Sequence, residues 1–299
     1  MSPNKRGGLA PAASVFDTRN RLRRVIGLVF ATLCFIATLI GIIVLTVLLV
    51  DIWRDGASRL SLDFLNGMPS RRAARAGIKP ALVGSIWTLV LTALIAFPLG
   101  VGTAIWLEEY APTNRFTRLV QTNIANLAGV PSIVYGILGL ALFVRLLAMG
   151  RSILAGAFTL ALLILPVIII ASQEAIKAVP NSHRLGAYAL GATRWETVRH
   201  HVIPQAMPGI LTGTILALSR AIGEAAPMIM IGAVAFTSFV PTGPLDEFSV
   251  VPIQIYDWVS RPQTAFHEIA AAASIVLLIA LLTLNATAIL LRNRYSRRS

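Results

Sequence analysis

Two charged side chains, Arg220 and Glu224, interrupt an otherwise apolar stretch that runs from about Val202 to Phe236. Residues four apart on a helix share a face, so the two can pair. A charge at mid-bilayer costs about 2.5–3.5 kcal/mol on insertion scales, so a span carrying two of them needs a reason. Either the pair neutralises itself and tolerates burial, or it serves an anion. Arg suits the second role because its guanidinium is a planar fork of donors that stays charged in a low-dielectric site. Glu would temper the binding so that the anion is released. A purely structural pair is often replaceable by apolar residues, which favours the functional reading. Other chemistries find no footing. Cys34 is the single cysteine, so neither a disulfide nor a cysteine metal framework can form. The four His are scattered, and adjacent His200 and His201 project about 100° apart on a helix, poor spacing for a metal. The lysines, Lys5, Lys79 and Lys177, lie in no Gly-x-x-x-x-Gly-Lys-Ser/Thr context, so no phosphate loop for ATP is present. No cluster of His, Cys and acids marks an enzyme.

The elements that position the charged pair follow from composition. Of 299 residues, 56% are hydrophobic and 13% charged, against roughly 25% charged in a soluble domain. A soluble enzyme, a secreted disulfide scaffold and a disordered chain are all excluded. The formal charge of +13 would suggest a nucleic-acid partner in a soluble protein, but in a membrane chain basic residues flank the spans. Apolar runs near the roughly 20 residues a spanning helix needs occupy 25–50, 81–107, 119–144, 152–173, 202–236 and 269–291. The expected fold class is all-α, a polytopic membrane protein of six transmembrane helices. Basic residues precede the first run (Arg19, Arg21, Arg23, Arg24) and follow the last (Arg292, Arg294, Arg297, Arg298). Both termini are therefore expected in the cytoplasm, which an even number of spans requires. The first run, about 26 residues, outlasts the roughly 7–15 of a cleavable signal, so it is read as a retained span. Residues 1–24 and 293–299 are then cytoplasmic tails, 51–80 an extracytoplasmic loop, and 81–292 the core of the permeation domain. Arg71, Arg72 and Arg75 make that outer loop basic, a local exception to the positive-inside rule.

Between the fourth and fifth runs, residues 173–204 change character. Leu185, Tyr188, Ala189, Ala192, Trp195 and Val198 recur at helical offsets among polar residues. Gly191 interrupts the pattern and Pro204 closes it, predicting two short amphipathic helices bent near Gly191. Two readings fit: an interfacial pair lying on the headgroups, or a docking element whose apolar anchors fill a partner's groove.

This loop carries a resemblance. Residues 185–204 resemble the EAA loop of ABC-importer permeases, Glu-Ala-Ala, three residues, Gly, nine residues, Ile, any residue, Leu-Pro. Ala187, Gly191 and Pro204 match in register, whereas Leu185, Gly186, His201 and Ile203 depart. The stretch from Glu174-Ala175-Ile176-Lys177-Ala178-Val179-Pro180 to Ser219-Arg220-Ala221-Ile222-Gly223-Glu224-Ala225-Ala226-Pro227 is similar to the permease subunits of phosphate-specific ABC importers. So is Gly129-Val130-Pro131-Ser132-Ile133-Val134-Tyr135-Gly136. The ending Gly-Glu-x-Ala-Pro and Ile255-Tyr256-Asp257-Trp258 look like the PstA branch of that family rather than the PstC branch. The similarity covers roughly residues 80–290. It implies the type I permease architecture, in a bacterial cytoplasmic membrane, and a role in moving inorganic phosphate. The implied partners are a homologous PstC-like permease subunit, two ATPase subunits that carry ATP and Mg, an extracytoplasmic phosphate-binding protein, and membrane lipid. No cofactor is expected on this chain and no nucleic acid beside it. Arg220 and Glu224 would then lie in the phosphate pathway, where Glu224 could accept a hydrogen bond from the P–OH that ionised sulfate lacks. Asn126, Ser132 and Tyr135 either face that pathway or bridge helices. Ala187, Tyr188, Leu190, Gly191, Ala192, Arg194, Trp195 and Pro204 would form the ATPase-coupling loop. Alternatives are a permease for another oxyanion and a secondary proton-coupled anion transporter.

Overall fold

The first apolar run folds as one long helix, α1 (Ala13–Gly56). The computed structural model describes residues 13–233 and 236–296; the outer parts of both expected tails, 1–12 and 297–299, lie outside the described residues. The chain divides into two units, residues 1–51 and 52–299. In the first, every described side chain from Arg23 to Asp51 is exposed. A helix apolar all round is one that lipid solvates.

The second unit opens with a folded loop. Ser61 Oγ caps the short α2 (Leu62–Asn66) by accepting from the Phe64 amide at 3.1 Å. The Gly77 and Ile78 amides then donate to the Met68 and Phe64 carbonyls at 2.9 and 3.0 Å. Phe64 and Ile78 are buried in a small core with Trp258, Phe266 and Ile269, and Arg59 pairs with Glu268 at 2.8 Å. The second span is α3 (Lys79–Ile105), which widens into a π turn at Trp106–Tyr110.

The third run differs from the single span expected over 119–144. It is two helices, α4 (Arg115–Ala128) and α5 (Ser132–Gly139, continued by a π turn to Leu146), bent by 103°. Gly129 has no side chain to hold a helix and Pro131 has no N–H, so the chain breaks between them. The Tyr135 hydroxyl spans the break, donating to the Leu127 carbonyl at 2.8 Å.

The fourth span, α6 (Ile153–Lys177), is the most buried of the candidate spans. Beyond it come α7 (Asn181–Ala189), the one-turn α8 (Arg194–Thr197), a π turn at Val198–Val202, and α9 (Ile203–Ile222). Pro204 was expected to close the amphipathic element. Instead the helix runs on from Arg194 to Ile222. The proline ring would meet the carbonyl four residues back, and the π turn just before it absorbs that conflict. The fifth run also ends early, at Ile222, where Gly223 leaves the helix and Pro227 cannot continue it. A separate short helix follows, α10 (Ala226–Ile231). The chain closes with α11 (Val251–Val259) and α12 (Thr264–Ser296). Among the described residues, five helices are long and apolar enough to span a membrane, and there are six if the bent pair counts as one span.

The α10–α11 loop covers the open start of α6: the Ile153 and Leu154 amides donate to the Asp246 and Pro244 carbonyls at 3.1 and 2.8 Å. Asp246 Oδ2 organises the loop by accepting from the Thr242 and Gly243 amides, both at 2.8 Å. These amides, Thr242 first, hold its carboxyl below the ordinary carboxylate range. A lowered folded value means the ordering is complete above the unfolded value of about 3.9 and is lost as pH falls through the folded one. Hydrogen exchange, corrected for its intrinsic pH dependence, should therefore show the Thr242 and Gly243 amides protected at neutral pH and released in acid. Asp246→Ala should release them at every pH; protection that survives it would refute this role.

Candidate functional site

Arg220 lies in the last turn of α9 and Glu224 two residues past its end. Both were expected inside one continuous helix. The i,i+4 pair still forms, because the Glu224 amide turns back to the Ala221 carbonyl at 3.2 Å. Arg220 Nε then meets Glu224 Oε1 at 3.2 Å. A cation in a last turn also faces the negative end of the helix dipole. The side chains are 51% and 17% exposed respectively, so this chain covers the carboxylate and leaves the guanidinium accessible. One residue earlier on α9, the Ser219 hydroxyl donates to Asn285 Oδ1 of α12, which fixes the face on which Arg220 stands.

Glu224 lines a small cleft with Ala221, Met228, Leu160, Ser85 and Thr88. Ser85 and Thr88, on α3, were not singled out from sequence. Their signal was present: Ser85, Thr88 and Thr92 recur at helical spacing in an apolar span. Thr88 Oγ1 donates to the Gly84 carbonyl at 2.7 Å, and Ser85 Oγ accepts from the Val251 amide at 2.9 Å. The cleft therefore joins a carboxylate, two hydroxyls and an apolar wall, and Arg220 reaches it through its bond to that carboxylate.

The third-span candidates are placed differently. Tyr135 is buried and its hydroxyl is engaged by Leu127. Asn126 is exposed on α4. Ser132 is half-buried in the first turn of α5. That helix does approach the site, since Gly136 packs against Pro227, where a Cβ would stand 2.7 Å from the proline Cα.

The amphipathic loop is built from two local motifs. Gly191 takes φ +83°, which favours glycine. The Ala192 amide donates to the Ala187 carbonyl at 3.1 Å and the Gly191 amide to Tyr188 at 3.0 Å, a Schellman ending for α7. Thr193 then opens α8 through a capping box with Glu196. The result leaves Leu190 91% exposed, with Leu185, Tyr188 and Trp195 exposed beside it, while Ala187 is buried beneath. Ala192 is half-buried, and Arg194 and Pro204 are exposed. An exposed apolar cluster on an otherwise polar loop marks an interaction surface.

Residues 96–299 match the family of the binding-protein-dependent transport system inner membrane component. The chain belongs to that family. Its relatives include a probable ABC transporter permease, YqgI of Bacillus subtilis, 37% identical over 78% of this chain and 84% of the relative. The phosphate transport system permease PstA 1 of Mycobacterium tuberculosis is 35% identical over 74% of this chain and 72% of its own. The PstA protein of Pasteurella multocida is 31% identical over 90% and 95%. Among solved structures, the fold is shared with a bacterial alginate ABC transporter in complex with a periplasmic protein, at TM-score 0.64 and 16% identity. That likeness covers 94% of this chain and 96% of the other. An inward-facing MetNI methionine ABC transporter matches at TM-score 0.58 and 18% identity, over 72% and 96%. As a family member the chain is a membrane component of a transporter, and the charged pair and the exposed loop are read in that light.

Proposed function

We propose that this chain is a permease subunit through which an ABC importer moves inorganic phosphate, driven by ATP hydrolysis in partner subunits. The observation that carries this reading is its 31% identity to a phosphate transport permease over 90% of its length. Arg220 takes phosphate transiently at the margin of the cleft, and Glu224 sets its affinity and favours the protonated oxyanion. The exposed Leu185–Tyr188–Leu190–Trp195 cluster docks the ATPase. A homologous permease subunit completes the membrane part, two ATPase subunits bind ATP and Mg, and an extracytoplasmic binding protein delivers phosphate. The subunit is multi-pass in the cytoplasmic membrane with both termini inside. The core of the permeation domain is 81–292 and the coupling loop 173–204.

Co-purification from native membrane, followed by reconstitution in vesicles, tests it. The chain should bring an ATPase and a second permease with it, and labelled phosphate should accumulate only with binding protein and ATP. Sulfate accumulation instead of phosphate would overturn the substrate. Uptake by the chain alone, driven by a pH gradient, would overturn the ATP-driven reading.

A further inference from the structure

Three consecutive residues at the end of the second span each hold a different element. Glu108 Oε1 accepts from Gln173 Nε2 at 2.7 Å and lies 3.6 Å from Lys177 Nζ, both on α6. Glu109 Oε1 accepts from Arg184 of α7, from Nη2 at 2.7 Å and Nε at 3.2 Å. Tyr110 turns its ring to Arg194 of α8, whose guanidinium stands 5.2 Å from the centroid. All three lie in the π turn Trp106–Tyr110, a departure from regular helix that is frequent at functional sites.

The Arg184 guanidinium does more than neutralise Glu109. It also donates to the Ile176 and Val179 carbonyls of the α6 terminus, at 3.1 and 2.7 Å. One side chain on the exposed loop thus grips two spans at once. The pair is enclosed, with Arg184 15% and Glu109 7% exposed. Stability alone does not require it, because well-packed apolar residues serve buried positions as well as ion pairs do. What a forked, charge-assisted bond adds is a fixed direction between its partners. From Glu109 the second span runs back to Thr88 of the cleft, about 21 residues or roughly 30 Å of helix. Any displacement of α7 must therefore carry this rod with it or break the bonds.

We propose that the Arg184–Glu109 pair, within the Glu108–Glu109–Tyr110 turn, is the joint that couples the loop helices to the second span and through it to the cleft. Both are positioning residues; neither touches the transported anion. This inference rests on the proposed ATP-driven function. The test uses the complete reconstituted complex carrying Glu109→Leu with Arg184→Met, which keeps volume and removes both charges together. ATP hydrolysis should persist while the ATP consumed per phosphate imported rises about tenfold, within the usual range of coupling between sites. Arg184→Lys keeps the charge without the fork and should show a smaller rise; it carries the comparison if the double variant fails to assemble. A second readout needs no phosphate. In a Cys34→Ala background, Thr88→Cys should change its reactivity to a thiol reagent when nucleotide binds, and the joint variants should abolish that change. Wild-type stoichiometry, or a nucleotide response at position 88 that survives in the variants, overturns the joint. If the unaltered complex hydrolyses ATP yet imports no phosphate, the substrate reading fails, and the labelling result still decides the joint.

Discussion

Replacing Arg220 by Gln should lower the initial rate of phosphate uptake by roughly 100-fold in a complex that still assembles. A hydrogen bond to a charged group contributes about 1.5–3 kcal/mol, and a factor of ten corresponds to about 1.4 kcal/mol. A lost bidentate contact therefore accounts for about two decades. The geometry separates this role from mere neutralisation of Glu224. About half of the Arg220 side chain is left uncovered by this chain, so its guanidinium has donors free to take an anion beside the carboxylate. Were Arg220 present only to neutralise Glu224, the double variant Arg220→Gln with Glu224→Gln would regain transport. The expected result is that it stays inactive. Glu224→Gln alone should retain part of the activity and lose discrimination against sulfate. Uptake measured in vesicles with labelled phosphate and competing sulfate reads all three variants, and recovery in the double variant would sink the assignment.

What the sequence made legible follows from what lipid demands. Apolar runs of spanning length translate directly into helices because backbone groups in the bilayer have no other partner. The Arg220–Glu224 pairing was readable because a contact four residues apart is local, and it survives the helix end at Ile222 through the turn of the Glu224 amide onto Ala221. Gly191 was readable for the same reason: one glycine at a positive φ ends α7 wherever that helix packs. The breaks were harder. Gly129 and Pro131 are residues that interrupt a helix, but the 103° angle between its two halves depends on α5 packing against α10, far along the chain. Pro204 looked like a stop because a π turn leaves no trace in composition. Glu108 and Glu109 were passed over altogether. They sit at the end of an apolar run, where a charge needs no explanation, and their partners Gln173 and Arg184 are 65 and 75 residues away. Long-range polar contacts of that kind appear only once the helices are assembled.

Gly213→Leu should abolish most assembly of the complex, and the reason lies in how α6 and α9 meet. Between helices in lipid there is no hydrophobic driving force, so association depends on close approach through small residues. Gly209 and Gly213 supply that approach on α9. A Cβ on Gly209 would stand 2.7 Å from Ala175 Cβ, and one on Gly213 would overlap Ala171 Cβ. Four carbon atoms at Gly213 must push the helices apart, and overpacking of this kind costs about 1–3 kcal/mol or more. Because α6 is the most buried span, the displacement cannot be absorbed at a free edge. It would also shift Arg220, about two turns further along the same helix. The contact itself can be isolated with smaller changes. Gly213→Ala places one methyl against Ala171 and should lower the thermal midpoint of the purified complex. Ala171→Gly removes the opposing methyl and should cost stability through a lost contact. Combined, the two move the methyl from one helix to the other, so the double variant should be more stable than the sum of the single effects allows. A double-mutant cycle gives that coupling directly, with about 0.5–3 kcal/mol expected for residues in contact. Strict additivity would mean that the helices do not meet at these two residues, and that the loss of assembly in Gly213→Leu has another cause.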